Sequence, residues 1–188
     1  MSGLSMFGYD QDLWEWDHTL WHLVQQCANR SPEETIQTFG IQREYASLVA
    51  GLSPRQVERL SSGVIASFQP VFDEDSFIAL LAEPYDPLSL LSRHSHGQLE
   101  AHFWLLVSKG ARTSPDTATL RYGVSRRVAK AAGTASSNQL RQIASKLGAD
   151  FQLRFAPSII EEVANASPRL ALTKRMAYAM TKSAAVTG

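Results

Sequence analysis

The amino-acid sequence predicts a mainly α protein: a helical N-terminal half, a second half built on a helix-turn-helix, and one or two short β-strands. Three observations carry this. Apolar residues recur at spacings of three and four through several stretches, the period of a helix with one buried face. Ser31-Pro32, Ser53-Pro54 and Ser114-Pro115 repeat the grammar of a helix start, a capping side chain followed by a residue whose missing N–H costs nothing in the first turn. Only Val64 to Phe72 and Phe151 to Phe155 read as strands, and Pro70 restricts the first to a sheet edge or end.

A chain of 188 residues with 44% apolar side chains can build one domain or two small ones. Its formal net charge of zero hides a split along the sequence. Residues 1–100 hold 14 acidic and 5 basic side chains, net −9, whereas residues 101–188 hold 4 acidic and 13 basic, net +9. An acidic half joined to a basic half suggests two jobs, with the basic half facing a polyanion. Cys27 is the only cysteine, which excludes a disulfide framework and a cysteine-based zinc module and points to a reducing cytoplasm. No signal peptide and no run of about 20 apolar residues is present, so a soluble, cytoplasmic and nucleoid-associated protein is expected. The phosphate-loop, nucleophile-elbow and HExxH patterns are all missing, so neither an enzyme nor a cofactor is expected.

Taken in order, Asp12 to Ala28 places Leu13, Trp16, Leu20, Val24 and Cys27 on one helical stripe, widened by Trp14, Trp21 and Leu23. Two readings stand for Trp14, Trp16 and Trp21: an ordinary core, or large anchors at an oligomer interface. Ser31-Pro32-Glu33-Glu34 starts a second helix carrying Ile36 and Phe39, with Gly40 as its stop. A third covers Gln42 to Ala50 with Tyr45, Leu48 and Val49 inward. The fourth follows Ser53-Pro54 and buries Val57 and Leu60. After the first strand, Asp73-Glu74-Asp75 caps a helix through Phe77, Ile78, Leu80 and Leu81. This closes an acidic oligomerisation domain at residue 82.

Residues 83–97, rich in Pro, Ser and His, form the expected linker at the point where the charge changes sign. His94, His96, Glu100 and His102 lack the pattern of a metal site, and no metal is expected. The second domain, residues 98–188, opens with a helix from Gln98 to Lys109 that turns Leu99, Phe103, Leu106 and Val107 inward. Ser114-Pro115-Asp116 then starts a helix to Tyr122, Gly123 supplies the turn, Val124 plugs the core beneath it, and Ser125 caps a further helix. Arg126, Arg127 and Lys130 fall on the first turns of that helix, where a recognition helix presents side chains to base edges and phosphates. Arg112 and Arg121 flank them, so Arg112, Arg121, Ser125, Arg126, Arg127 and Lys130 are the candidate DNA-binding residues. Val128 stands one position ahead of the second core aliphatic of many such motifs, which leaves Ala129 in that place. A helix from Ala135 to Leu147, a helix from Pro157-Ser158 to Ala164 and a basic helical tail from Arg169 complete the chain. Arg169, Lys174, Arg175 and Lys182 suit the tail to phosphate contacts.

Residues Thr38 to Leu81 resemble the FlhD component of the FlhD/FlhC family of flagellar transcriptional activators. The resemblance lies in Phe39-Gly40-Ile41, Ala46, Leu48, Leu52-Ser53, Gln56-Val57, Leu60, Phe68 and Phe72-Asp73. Leu105 to Ala131 resembles the FlhC component, through Gly110-Ala111-Arg112 and Val124-Ser125-Arg126. The chain departs from FlhC in having no four-cysteine zinc site. The resemblance implies a transcriptional activator subunit with both flavours in one chain. It would act in a hetero-oligomer on double-stranded DNA, with a second regulator subunit, further copies of this chain or both as partners beside RNA polymerase, and serve a conjugative element or a flagellar-type regulon. Two other classes stay open: an adaptor that keeps the fold without binding DNA, and a replication or partition factor.

Overall fold

A computed structural model of the protein describes residues 8–86 and 95–186. The chain is mainly helical, with eleven helices among the described residues and one small two-stranded antiparallel sheet. No described helix is long and apolar enough to cross a membrane. The chain divides into two compact units, residues 1–69 with 151–188, and residues 70–150.

The first unit begins with α1 (Gln11–Arg30), capped by the Asp10 carboxylate, which accepts from the backbone N–H groups of Asp12 and Leu13. One face of α1 buries Leu13, Trp16, Leu20, Trp21 and Val24 to 2% exposure or less. Trp21 meets Phe68 edge-on at 4.9 Å, and Trp16 meets Phe151 at 5.3 Å, so both indoles lie in their own unit's core. The anchor reading of Trp16 and Trp21 is thereby corrected: no surface remains on them for a partner. Trp14 is half-buried and stacks on His18.

Three short helices follow, α2 (Pro32–Phe39), α3 (Arg43–Ala50) and α4 (Pro54–Leu60). Ser31 caps α2, and Ser53 with Gln56 forms a capping box on α4. On α3, Ala46 and Val49 are the buried residues, while Tyr45 and Leu48 are only half-covered. Residues 61–67 are buried without being a strand, and β1 is confined to Phe68–Val71. What holds this buried loop is Asp17, a fully buried carboxylate on α1. It accepts from the backbone N–H of Ser62 at 2.9 Å, the backbone N–H of Ser67 at 2.7 Å and the Ser67 hydroxyl at 2.7 Å. Those bonds supply the partners a strand would otherwise have given, which is why the expected strand from Val64 is shorter.

The same unit takes back the end of the chain. β2 (Asp150–Leu153) pairs with β1, and α10 (Ile159–Ala164) and α11 (Pro168–Val186) follow. Helix α10 packs on α4 and α11. Arg175 of α11 is 3% exposed and stands 3.8 Å from Asp17. Its guanidinium donates to the Ser67 hydroxyl at 2.8 Å, to the Arg59 carbonyl at 3.1 Å and to the Leu60 carbonyl. Lys174 pairs with Glu162. Arg175 is therefore not a phosphate contact of a basic tail. A buried carboxylate needs a cation, and the chain supplies it from its far end.

The second unit starts with α5 (Glu74–Ala82), capped by Asp73, and continues with α6 (Ser95–Thr113), α7 (Pro115–Tyr122), α8 (Arg126–Thr134) and α9 (Ser137–Leu147). Helix α6 is the hub, in contact with α7, α8 and α9, and α5 packs on α8 and α9. Trp104 of α6, one helical residue beyond the expected inner face, is fully buried against Phe77 at 4.6 Å and Phe72 at 5.2 Å. This arrangement differs from the two sequential domains expected with a boundary at 82. Helix α5 belongs with the helix-turn-helix because Phe77 buries against Trp104, and residues 151–186 belong with the N-terminal helices through Asp17 and Arg175. Residues 87–94 of the expected linker lie outside the described residues, and Ser95 onward is already α6.

Candidate nucleic-acid interface

The corner between α7 and α8 is built by three local choices. The Ser114 hydroxyl accepts from the Thr117 N–H at 3.2 Å and starts α7. Gly123 ends it at φ 71°, ψ 27°, with its N–H donating to the Thr119 carbonyl at 3.0 Å. This left-handed backbone costs a residue with a Cβ about 1–2 kcal/mol. The Ser125 hydroxyl then accepts from the Val128 N–H at 3.2 Å and starts α8. Three residues thus separate the helices, as the sequence predicts.

Tertiary packing fixes which face of α8 looks outward. Val128, Ala129 and Ala132 are fully buried, and Val124 beneath the turn is 4% exposed. Both Val128 and Ala129 enter the core. The approach is tight at Gly110 on α6, where a Cβ would lie 2.8 Å from the Tyr122 ring. Arg126, Arg127 and Lys130 are left exposed on the opposite face.

The six candidate residues do not form one open basic surface. Arg126 reaches back to Asp116 on α7, with its Nε 2.8 Å from one carboxylate oxygen and Nη2 3.3 Å from the other. Arg127 donates from Nη1 to Asp75 of α5 at 2.6 Å. The Ser125 hydroxyl donates to Glu74 at 3.0 Å. Arg112 lies at the other end of α8, where its Nε and Nη2 donate to the carbonyls of Gly133 and Ala135 at 3.2 and 3.1 Å. A cation there satisfies helix-end carbonyls and complements the dipole, so the role of Arg112 is to close α8. Arg121 is half-buried on the last turn of α7. Lys130 is exposed and holds no ion pair among the described residues.

The sequence reading missed Glu74, Asp75 and Asp116 at this site. The Asp73-Glu74-Asp75 run was visible, and its capping role is real: Asp73 accepts from the Ser76 N–H at 2.8 Å and from its hydroxyl at 2.6 Å. Those bonds from Ser76 hold the Asp73 carboxyl below the usual range. That the next two residues turn to α8 depends on α5 packing there, which no local pattern encodes.

Glu100, considered above with the nearby histidines, is 3% exposed and has both oxygens occupied. The Trp104 indole donates to one at 3.0 Å, and the Ala149 N–H donates to the other at 3.0 Å. Burial pushes its pKa up to about 7 against the pull of those two donors. No group of three or more potential metal-ligating side chains occurs among the described residues, and His94 lies outside them.

The charge split also takes a different form in space. Residues 70–150 carry 9 basic and 8 acidic side chains, net +1, and residues 1–69 with 151–188 carry 9 basic and 10 acidic, net −1. The acidic turn of α5 has joined the basic helices, and the basic tail has joined the acidic ones. No known protein family, curated protein or solved structure matches the chain.

Proposed function

We propose that the protein is a DNA-binding transcriptional regulator that uses α7, the Gly123 turn and α8 as its reading unit. The observation that carries this reading is the outward face of α8. Its first turns present Arg126, Arg127 and Lys130 to solvent while Val128, Ala129 and Ala132 hold the helix against α6. A helix presented by its N-terminal residues is the geometry that enters a major groove. In this reading Arg126 and Arg127 meet guanine edges or phosphates, Lys130 meets a phosphate, and Ser125 donates to the backbone where the chain enters the groove.

One such unit covers only a half-site, so the working form is an assembly, with a second regulator subunit or a second copy supplying the other reader. The resemblance to the FlhD/FlhC family supports the same picture: an activator of mobile-element transfer genes or of a flagellar-type regulon, working with RNA polymerase. Selection of bound sequences from a random duplex library, repeated with Arg126, Arg127 and Lys130 all replaced by Ala, tests the reading. Enrichment of one motif by the wild type and of none by the triple variant is expected. Equal enrichment by both would remove α8 from the site.

A second reading has its own observation. Both α8 arginines are already paired with carboxylates of their own unit, and the unit's net charge is only +1. An adaptor that keeps the helical corner as a protein-binding surface fits that balance. It predicts no affinity for duplex DNA even at low salt.

A further inference from the structure

The first turn of α8 carries an acidic cover. Asp75 accepts from Arg127, Glu74 accepts from the Ser125 hydroxyl, and Asp116 holds Arg126 through two contacts. Ser125 is also the residue that caps α8, so Glu74 touches the point from which the helix starts. DNA arriving at this turn must exchange partners. Each arginine has to leave a carboxylate, and a phosphate brought to Arg127 comes beside Asp75 and its neighbours in the first turn of α5.

From this geometry we infer that Asp75 and Glu74 are specificity-determining residues of the DNA site: they lower affinity for the phosphate backbone in general and leave a larger share of binding to base contacts. The inference rests on the DNA-binding reading above. Non-specific binding is electrostatic and scales with the number of phosphates that cations neutralise. A cation already held by a carboxylate adds little to that sum. The Arg127–Asp75 pair is exposed, 57% and 80% for the two side chains, and is held weakly enough to be broken. A bidentate contact of Arg127 with a guanine edge outweighs so weak a pair, whereas a single screened phosphate contact gains little over it. The carboxylates thus set a threshold that correct base contacts cross and stray backbone contacts do not.

The test measures binding of the full chain to a random-sequence duplex as a function of salt. Asp75→Asn is expected to bind about three- to tenfold tighter than the wild type at about 50 mM salt, with a salt slope steeper by up to about one unit. Glu74→Gln is expected to move affinity in the same direction by less. The double variant Asp75→Asn/Arg127→Ala should match Arg127→Ala alone, because the gain runs through Arg127. Unchanged affinity and slope in Asp75→Asn, or a gain that persists without Arg127, overturns the inference and leaves the DNA reading standing. No binding by the wild type or any variant at that salt overturns the DNA reading, and the inference with it.

Discussion

Two arginine–carboxylate contacts in this protein share their chemistry and differ in everything else. Arg127 and Asp75 meet at 2.6 Å with both side chains more than half exposed. Arg175 and Asp17 stand 3.8 Å apart, and neither is more than 4% exposed. The closer pair is the weaker one. Water screens Arg127 and Asp75, and holding two long side chains in one geometry offsets most of their attraction. Asp17 is fully buried, so the carboxylate depends on its three hydrogen bonds from Ser62 and Ser67 and on the guanidinium. Burial pushes the Asp17 pKa up and the Arg175 pKa down, while the charge of each pulls the other back toward its ionised form. Distance alone does not rank such contacts. Burial decides, and it assigns Arg175 to structure and leaves Arg127 available for binding.

The contrast can be broken first at its buried member. Arg175→Ala strands Asp17 without its cation, and a loss of about 3–5 kcal/mol in unfolding free energy is expected from chemical denaturation. If the loss is under about 1 kcal/mol, the network does not hold the first unit together. Adding Asp17→Asn to that variant should recover part of the stability, because the uncompensated charge is then gone.

Glu100 gives a pH test of the same principle in the second unit. Its folded pKa of about 7 lies above the ordinary carboxyl value, so the folded chain holds the proton more tightly than the unfolded chain does. Its contribution is therefore fully present below about pH 4.5 and is lost as pH rises to about 7, by at most about 3 kcal/mol. Asp17 acts with the same sign between about 4 and 6. Thermal melts of Glu100→Gln across that range should show a flatter pH dependence than the wild type. An unaltered slope would move the effect elsewhere. Gly123→Ala should cost about 1–2 kcal/mol through its left-handed backbone alone. A smaller loss would mean that the corner relaxes. The smallest stability effect belongs to the exposed pair: Arg127→Ala is expected to change unfolding free energy by less than about 0.5 kcal/mol. In the DNA-binding reading proposed above, it should also lower the salt slope on random-sequence duplex by well under one unit, because Asp75 already holds that cation.

Helix ends were legible in the sequence because their chemistry is local. Ser31, Ser114 and Ser125 each accept from the backbone N–H three positions on, inside the helix they start, and Gly40 and Gly123 stop helices at φ 65° and 71°. A spacing of three residues is visible in one dimension. The outward placement of Arg126, Arg127 and Lys130 was legible for the same reason, since periodicity separates them from Val128 and Ala132. What stayed hidden depends on pairs far apart in the chain. Asp17 looked like one polar residue on an amphipathic helix, and nothing near it announces Arg175. Trp16 and Trp21 looked excessive for a small core until Phe68 and Phe151 arrived to pack on them. Arg112 looked like one more cation beside α8, because its carbonyl partners at Gly133 and Ala135 lie more than 20 positions along the chain. Net charge summed along the chain misled in the same way, since folding places the acids of α5 beside α8.

The first unit is interrupted: the chain leaves it at Gln69 and re-enters at Phe151. During synthesis, which adds about 5–20 residues per second, residues 70–150 emerge as a complete set while the earlier unit still lacks β2, α10 and α11. The inserted unit can therefore finish folding on the ribosome, whereas Asp17 must wait in a partly formed core for a cation that follows the whole inserted unit in the sequence. The unit begun first is completed after the inserted one, and a chain whose synthesis stops before Arg175 carries a finished inserted unit and an unfinished first unit.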